Sequence, residues 1–551
     1  MKGAKILIET LIDLNVKTVF GYPGGSVLDI YDELYKNSNR IEHIITAHEQ
    51  GAAHAADGYA RVTGRVGVVI ATSGPGATNL VTGIANAYMD SVPLVAITGN
   101  VSTGLLGKDS FQEVDIVDIT LPIVKHSYIV KDIAKLESTI REAFYIANTG
   151  RPGPVLIDIP KDIQASDYEY IGKETFLDFN KKIENIDDVD EAVEEINKST
   201  KPYIYCGGGV VIAEAGEEVM ELSKKLSAPI GLSMMGISAV SGSYDLNLGM
   251  TGMHGKYAAS KTKSEADLII AVGVRFSDRA TGNKQAYHEN RKIIHIDIDP
   301  AEINKNISAD ISLCGNVKDI LKKLVKRVSK KSNEDWLNTI KINKQDEEKI
   351  DTSKEELSAK EIIEMINSYC FKETVVATDV GQHQMWVMQH FKFEKTRTLL
   401  TSGGLGTMGY GMGALIGGCV GSGRKKAVLF TGDGSFGMNL NELATVVSQN
   451  LPVVIVIINN GVLGMVRQWQ KAFYNSRYSQ TTLDRQTDFV KLAEAFGMKG
   501  YRAASENELK GILDNHFDDN KPILIDCYID MNNKVLPMIP PGGSINEIIV
   551  S

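Results

Sequence analysis

Two oxygen-bearing side chains stand at the ends of apolar runs, 27 positions apart. Asp433 follows AVLF in the segment AVLFTGDGSFGMNL (427–440), and Asn460 closes the run VVIVIINN (453–460). A carboxylate and an amide oxygen suit a hard cation, and magnesium takes few protein ligands while phosphate oxygens and water fill its other positions. Gly432 and Gly434 keep side chains away from where a phosphate must approach. The helix expected after Ser435 and Phe436 adds backbone N–H groups and the positive end of its dipole. These residues describe a metal-held diphosphate, while Gly-Asp-Gly by itself also makes an ordinary turn.

A second candidate is Glu49, at the head of AHEQGAAHAADGYARVTG. Ala52, Ala55, Ala56 and Tyr59 recur at helical spacing and form a buried face, so Glu49 beside it is expected to be substantially desolvated. On the residues alone Glu49 equally fits a first-turn carboxylate favoured by the helix dipole.

The elements that must position these groups follow from periodicity. The β-branched runs VGVVIA (66–71), LVAIT (94–98), AVLF (427–430) and VVIVII (453–458) alternate with helical patterns, which predicts an α/β fold of doubly wound domains with parallel sheets. Between Asp433 and Asn460, the spacing of Leu440, Leu443, Ala444 and Val447 predicts a crossover helix with one buried stripe. The two strand ends then lie about 5 Å apart if the strands are neighbours, or about 10 Å with one strand between. Polar stretches at about 165–190 and 322–362 read as linkers, with or without helical turns, dividing the chain into domains 1–165, 185–345 and 360–535 with a tail, 536–551, as a candidate lid. VVIATSGPGATNL (68–80) followed by PLVAITGN, and AVLFTGDGSFGMNL followed by PVVIVIINN, form an internal repeat. The first and third domains are therefore expected to be copies of one unit, with Asp433 standing where Pro75 stands in the first.

Composition narrows the partners. The 551-residue chain has a net charge of −10, which offers no attraction for nucleic acid or an anionic membrane and favours a small substrate. Cys206, Cys314, Cys370, Cys419 and Cys527 are scattered and form no C-x-x-C pair, against a disulfide framework or zinc ribbon and in favour of a reducing, cytoplasmic setting. The amino-terminal segment breaks its apolar positions with Lys5, Glu9 and Asp13, unlike an export signal. The most apolar run of the chain, Val453 to Ile458, is far short of the roughly 20 residues of a membrane span.

GDGSF, a helix, then INN resembles the diphosphate-binding motif of thiamine-diphosphate enzymes, and HEQGAAHAADGYAR resembles their activating-glutamate motif. The resemblance implies that Asp433, the Asn460 side chain and the Val462 carbonyl ligate Mg2+ and that Glu49 bonds the pyrimidine ring nitrogen, so that the aminopyrimidine acts as base. It implies an active site between two subunits. Tyr22, Pro75 and Asn79 contact thiamine diphosphate from the first domain. Val380, Gly381, Gln382, His383, Gly406, Gly432, Gly434, Ser435, Leu463, Gly464 and Met465 contact it from the third, with Met408 as the apolar wedge beneath it. His383 also fits a structural histidine.

Across the whole chain ATSGPGATNL, FQEVD, RPGPVLIDIPKDIQ, GMHG, RFSDR, HIDIDPAEI, GMVRQWQ and PMIPPGGS are similar, in order, to the acetohydroxyacid (acetolactate) synthase catalytic subunits. Such enzymes decarboxylate pyruvate and transfer the hydroxyethyl unit to a second pyruvate or to 2-ketobutyrate, in isoleucine and valine biosynthesis. The resemblance implies that Arg279 pairs with the acceptor carboxylate, that Trp469 biases the acceptor pocket, and that Gln112 and Lys161 line the channel. Ordinary core packing is an equal account of Trp469. The anabolic branch also binds a non-redox FAD, implying contacts at Arg151, Gly207, Gly208, Gly209, Met253, His254, Gly273, Arg275 and Asp297. Ser277 and Asn316 depart from the aspartates many relatives carry, and the GGG run also fits a strand-to-helix turn. A homodimer or higher homo-oligomer, with a small regulatory subunit as a further partner, belongs to the same expectation. The rivals are a flavin-dependent pyruvate oxidase, a catabolic acetolactate synthase without FAD, a glyoxylate ligase, disfavoured by Glu49, and a non-catalytic nucleotide-binding regulator.

Overall fold

The strands of this chain are built from valine and isoleucine runs that are apolar on both faces, so each must be covered by helices on two sides. In the computed structural model, which describes residues 1–170, 189–350 and 357–550, they form three six-stranded parallel sheets. The amino-terminal sheet runs, edge to edge, Glu42–Ile45, Thr18–Tyr22, Gly67–Ala71, Leu94–Asn100, Pro154–Pro160, His126–Ile129. The carboxyl-terminal sheet runs Leu399–Leu400, Val375–Thr378, Ala427–Gly432, Val453–Asn459, Ile523–Tyr528, Lys499–Ala503. Counted within each domain, both orders are 2-1-3-4-6-5, so the internal repeat is a repeat of topology. Its two glycine turns both follow the third strand. Pro75 and Asp433 each open the helix that comes next.

The middle sheet differs. Its strands Pro202–Cys206, Ile230–Leu232, Asn247–Met250, Leu268–Val272, Lys292–Asp297 and Ile311–Cys314 take the order 3-2-1-4-5-6. The strand order reverses between the first and fourth strands, and in open α/β sheets ligands bind at that switch point. Gly207 and Gly273 follow those two strands.

Two expectations need correction. The segment 322–362 holds more than helical turns: it contains the end of the helix Val317–Arg327, the seventeen-residue helix Glu334–Ile350 and the start of Ala359–Tyr369. Trp336, Ile340 and Asn343, spaced at i, i+4 and i+7, are the residues of the long helix that are buried, and the charges that suggested a linker cover its remaining surface. Residues 171–188 of the other expected linker, and 351–356, lie outside the described residues. The crossover between Asp433 and Asn460 is also not one helix. A helix Asp433–Asn439, a 3-10 turn Leu440–Glu442 and a helix Leu443–Ser448 replace it, and the tighter turn shifts the phase. Leu443 and Val446 are buried, while Ala444 is exposed and Leu440 and Val447 are half-buried.

The alanine face expected on Glu49–Thr63 is observed, and the whole span Gly51–Ala60 is buried. Its covering element is the helix Tyr410–Gly421 of the carboxyl-terminal domain, buried from Tyr410 to Val420. A side chain at Gly417 would overlap the Ala55 carbonyl, and one at Gly58 the Ala414 backbone. The two backbones touch because glycines face alanines across the domain boundary. Among the described residues, no helix is long and apolar enough to cross a membrane.

Candidate active site

Strands Ala427–Gly432 and Val453–Asn459 pair directly, with Gly432 opposite Ile458, so the shorter of the two expected spacings brings Asp433 beside Asn460. Burial pushes the pKa of the Asp433 carboxyl up to about 6, against the pull of the nearby backbone N–H groups of Asp433, Gly434 and Asn460. Asn460 donates from Nδ2 to Gln382 Oε1 at 3.1 Å, and its Oδ1 accepts the Val462 N–H at 3.2 Å. Val462 bridges Thr482, but the bonds that make the bridge run from Leu463 N–H to Thr481 O and from Leu483 N–H to Gly461 O, leaving the Val462 carbonyl out of it. Among the described residues no three His, Cys, Asp or Glu side chains gather as a metal site. A cation here would take one carboxylate with amide and carbonyl oxygens, a hard donor set that suits magnesium.

The surrounding groups fit a diphosphate. A side chain at Gly432 would meet the His383 ring and one at Gly434 would meet Leu463, whereas Gly406, in the left-handed region at φ 70°, faces open space. His383 is buried, its Nε2 finds no partner among the described residues, and burial lowers its pKa to about 3, so it is a neutral ring. Ser435 Oγ donates to the Val380 carbonyl at 2.8 Å. Gln382 is buried and spends its amide on Gln468, Asn533 and Asn460, so it orients Asn460, and Gly464 leaves it room. Sequence reasoning missed Asp379, whose Oδ1 accepts N–H bonds from Gly409 at 2.7 Å and Val380 at 3.1 Å while Oδ2 takes the Thr431 hydroxyl. This one buried side chain ties its own strand end to the Gly409 turn and to Thr431 of the strand Ala427–Gly432, yet in ATDVGQ it looks like a turn residue.

On the first domain, Glu49 opens its helix and is half-buried. Its Oε2 accepts from Asn79 Nδ2 at 2.9 Å. Glu442 accepts the Ala47 and His48 N–H groups from the other domain, which anchors the approach to that turn. Tyr22, Pro75, Gln112 and Lys161 are exposed at the carboxyl edge of the same sheet, and Gln112 packs its backbone against Gly74.

A groove of about 2310 Å³ runs between the three domains. All nine residues expected to contact FAD line it, from Arg151 and the Gly207, Gly208, Gly209 turn to Met253, His254, Gly273, Arg275 and Asp297, and so do Val380, Gly381, Gly406, Met408 and Met465. Gly207 and Gly209 are needed by the chain itself, since side chains there would strike Gly273. Arg151 pairs with Glu302 at 2.6 Å and Asp299 at 3.4 Å, and Arg275 donates to the Met89 carbonyl. Asn316 caps the helix Val317–Arg327, accepting the Lys318 and Asp319 N–H groups, so that departure from aspartate keeps a local role. Trp469 is half-exposed on the groove wall, with the Arg279 guanidinium 5.2 Å over its ring, which sets aside the core-packing account. The tail reaches the same wall through Ile539 N–H on the Met253 carbonyl, 2.8 Å.

The comparisons with known proteins agree with this geometry. Residues 1–119 match the thiamine pyrophosphate enzyme N-terminal TPP binding domain, 189–324 the central domain and 379–527 the C-terminal TPP binding domain. The chain is 44% identical over 565 residues to the probable acetolactate synthase large subunit of Methanocaldococcus jannaschii, covering 100% of this chain and 95% of that one. It belongs to the acetolactate synthase large-subunit family of thiamine pyrophosphate enzymes. It is also 41% identical over 567 residues to the isozyme 3 large subunit of Escherichia coli, covering 100% and 99%, and 42% identical over 566 residues to the large subunit of Haemophilus influenzae, covering 100% and 98%. The two matched TPP binding domains fall on the two sheets that share a strand order, and the central match falls on the sheet with the switch point.

Proposed function

We propose that this enzyme is an acetolactate synthase, decarboxylating pyruvate and joining the two-carbon unit to a second pyruvate or to 2-ketobutyrate for branched-chain amino acid biosynthesis. The observation that carries the reading is the meeting of Asp433 and Asn460 on paired strand ends, beside a groove whose wall holds Arg279 over Trp469. Asp433, the Asn460 amide and the Val462 carbonyl would hold magnesium, and Ser435 and the head of its helix would receive the diphosphate. When bound, thiamine diphosphate supplies the electron sink that decarboxylation requires. Glu49 would hold a proton at the pyrimidine ring nitrogen, and Met408 would give the cofactor an apolar surface to rest on. Arg279 binds the acceptor carboxylate, Trp469 bounds the acceptor pocket, and Gln112 and Lys161 line the approach.

The same reading includes FAD in the groove, with Arg151 and Arg275 as cations for its diphosphate and no redox step assigned to it. It includes a homodimer or higher assembly in the cytoplasm: the first-domain contacts Tyr22 and Pro75 are exposed, and apolar Leu28, Phe111 and Met438 are exposed on both thiamine domains. The relatives are named large subunits, which supports a small regulatory partner. The test is acetolactate formation from pyruvate by the protein supplied with thiamine diphosphate and magnesium. Product is expected, and Glu49→Gln should lower its rate by at least about a hundredfold, the usual range for losing an acid–base group. No product from the wild type, or an undiminished rate from the variant, rejects the mechanism.

A further inference from the structure

Four polar side chains of the first domain, Asp57, Arg61, Asn86 and Asp90, are packed in the interior against the loop Ser402–Thr407 of the third. Arg61 donates from Nε to Asp57 Oδ1 at 2.6 Å and from Nη2 to Asp90 Oδ2 at 3.0 Å. Asp90 turns both oxygens to the loop: Oδ2 accepts the Gly403 N–H at 3.0 Å and Oδ1 the Gly404 N–H at 2.7 Å. Asn86 donates to Asp57 Oδ2 and accepts the Ser402 hydroxyl at 2.6 Å and that of Thr407 at 3.3 Å. Tyr410 OH closes the set on Asp57 Oδ1 at 2.6 Å.

Burying two carboxylates with one guanidinium is costly, and stability alone is a weak reason to build such a cluster. Its bonds to the third domain end chiefly on one loop, and that loop is SGGLGT, followed by Met408 and Gly409. Four glycines in seven positions, from Gly403 to Gly409, would leave it many conformations if nothing held it. The bonds to Gly403, Gly404, Ser402 and Thr407 remove that freedom on the amino-terminal side of Met408, and Asp379 fixes Gly409 on the other side.

We infer that Asp90, oriented by Arg61, is a positioning residue that sets the conformation of the Met408 loop, the surface on which the cofactor would rest. This rests on the reading of Met408 as the wedge under thiamine diphosphate. The same helix, Glu49–Thr63, carries Glu49 in its first turn and Asp57 and Arg61 further along, so the element that presents the activating carboxylate also anchors a wedge loop.

The test is a double-mutant cycle in the holoenzyme, Asp90→Ala with Met408→Ala, alongside amide hydrogen exchange in the protein without cofactor. Asp90→Ala should lower kcat for acetolactate by about tenfold to a hundredfold, as misplacement of a reacting group does, with KM for pyruvate within about threefold of wild type. In the Met408→Ala background the same change should cost no more than about twofold, because the two residues act through one contact. Exchange of the Gly403–Thr407 amides should quicken by at least about tenfold while the helix Tyr410–Gly421 keeps its protection. Additive losses in kcat, or unchanged exchange in the loop, overturn the inference. If Asp90→Ala does not fold, Asp90→Asn, which keeps one acceptor for the loop, is put through the same cycle with the same two outcomes. A wild type that forms no acetolactate rejects the proposed function, whereas loop exchange still decides whether Asp90 fixes the loop.

Discussion

Trp469 touches Phe473 edge-on at 5.4 Å on one side and meets the Arg279 guanidinium on the other, so it is both held in place and open to the groove. Replacing it with leucine removes a flat wall without opening the core. Trp469→Leu is expected to lower the preference for 2-ketobutyrate over pyruvate by about tenfold, the scale of a one-methylene discrimination. Competition between the two acceptors measures it, and an unchanged product ratio would remove Trp469 from that role. At this scale the sequence is legible where chemistry and spacing coincide. Asp433 and Asn460 announce themselves because each ends an apolar run, and Glu49 because it heads an alanine-rich helix. Asp90 and Asp379 do not, since in YMDSVP and ATDVGQ each looks like a turn-forming carboxylate. Their partners lie 313 and 30 positions away, beyond the reach of local pattern.

Elements are set by periodicity until close packing interferes. The helices Glu49–Thr63 and Tyr410–Gly421 approach so closely that Gly417 sits on the Ala55 carbonyl, which explains the glycines of GYGMGALIGGCVG in the middle of a helix where they are intrinsically unfavourable. Gly417→Ala should therefore destabilise by about 1–3 kcal/mol as an overpacked contact, read as a lower melting temperature. Gly511→Ala, in the helix Glu506–His516 with open space around it, should instead be neutral or stabilise by up to about 1 kcal/mol. Equal effects from the two substitutions would refute the close-packing account. The crossover after Asp433 shows the opposite limit. Its apolar spacing was legible, but the 3-10 turn at Leu440–Glu442 buries Val446 in place of Ala444, and a turn of three residues has no separate sequence period to reveal it.

Across the molecule, burial also leaves a titration that stability must record. Lys263 is buried in the middle domain, its Nζ donating to the Ala280 carbonyl at 3.1 Å and lying over the rings of Tyr205 and Tyr287. Burial first, then Arg291, lowers its pKa to about 7. The folded protein thus binds this proton less tightly than the unfolded chain, so the penalty is complete below about pH 7 and fades as pH rises toward the ordinary lysine value near 10.4. Lys263→Met should be more stable than wild type at about pH 7, with the gain shrinking by up to about 1.4 kcal/mol per pH unit between about pH 7 and 10. Denaturant midpoints at the two ends of that range measure it, and a gain independent of pH would contradict it. What the sequence by itself determined was the family, the three parallel α/β units, the repeat of the first in the third, and Asp433 and Asn460 as the pair proposed to hold a metal, because strand ends and glycine turns are written in neighbouring residues. What only the tertiary structure decided was the pairing of Asp433 with Asn460 on adjacent strands, the place of Trp469 on an open wall, and the hold of Asp90 on the Met408 loop. Each depends on which surfaces meet after the sheets have formed, and burial and close contact between distant segments leave no local spacing to read.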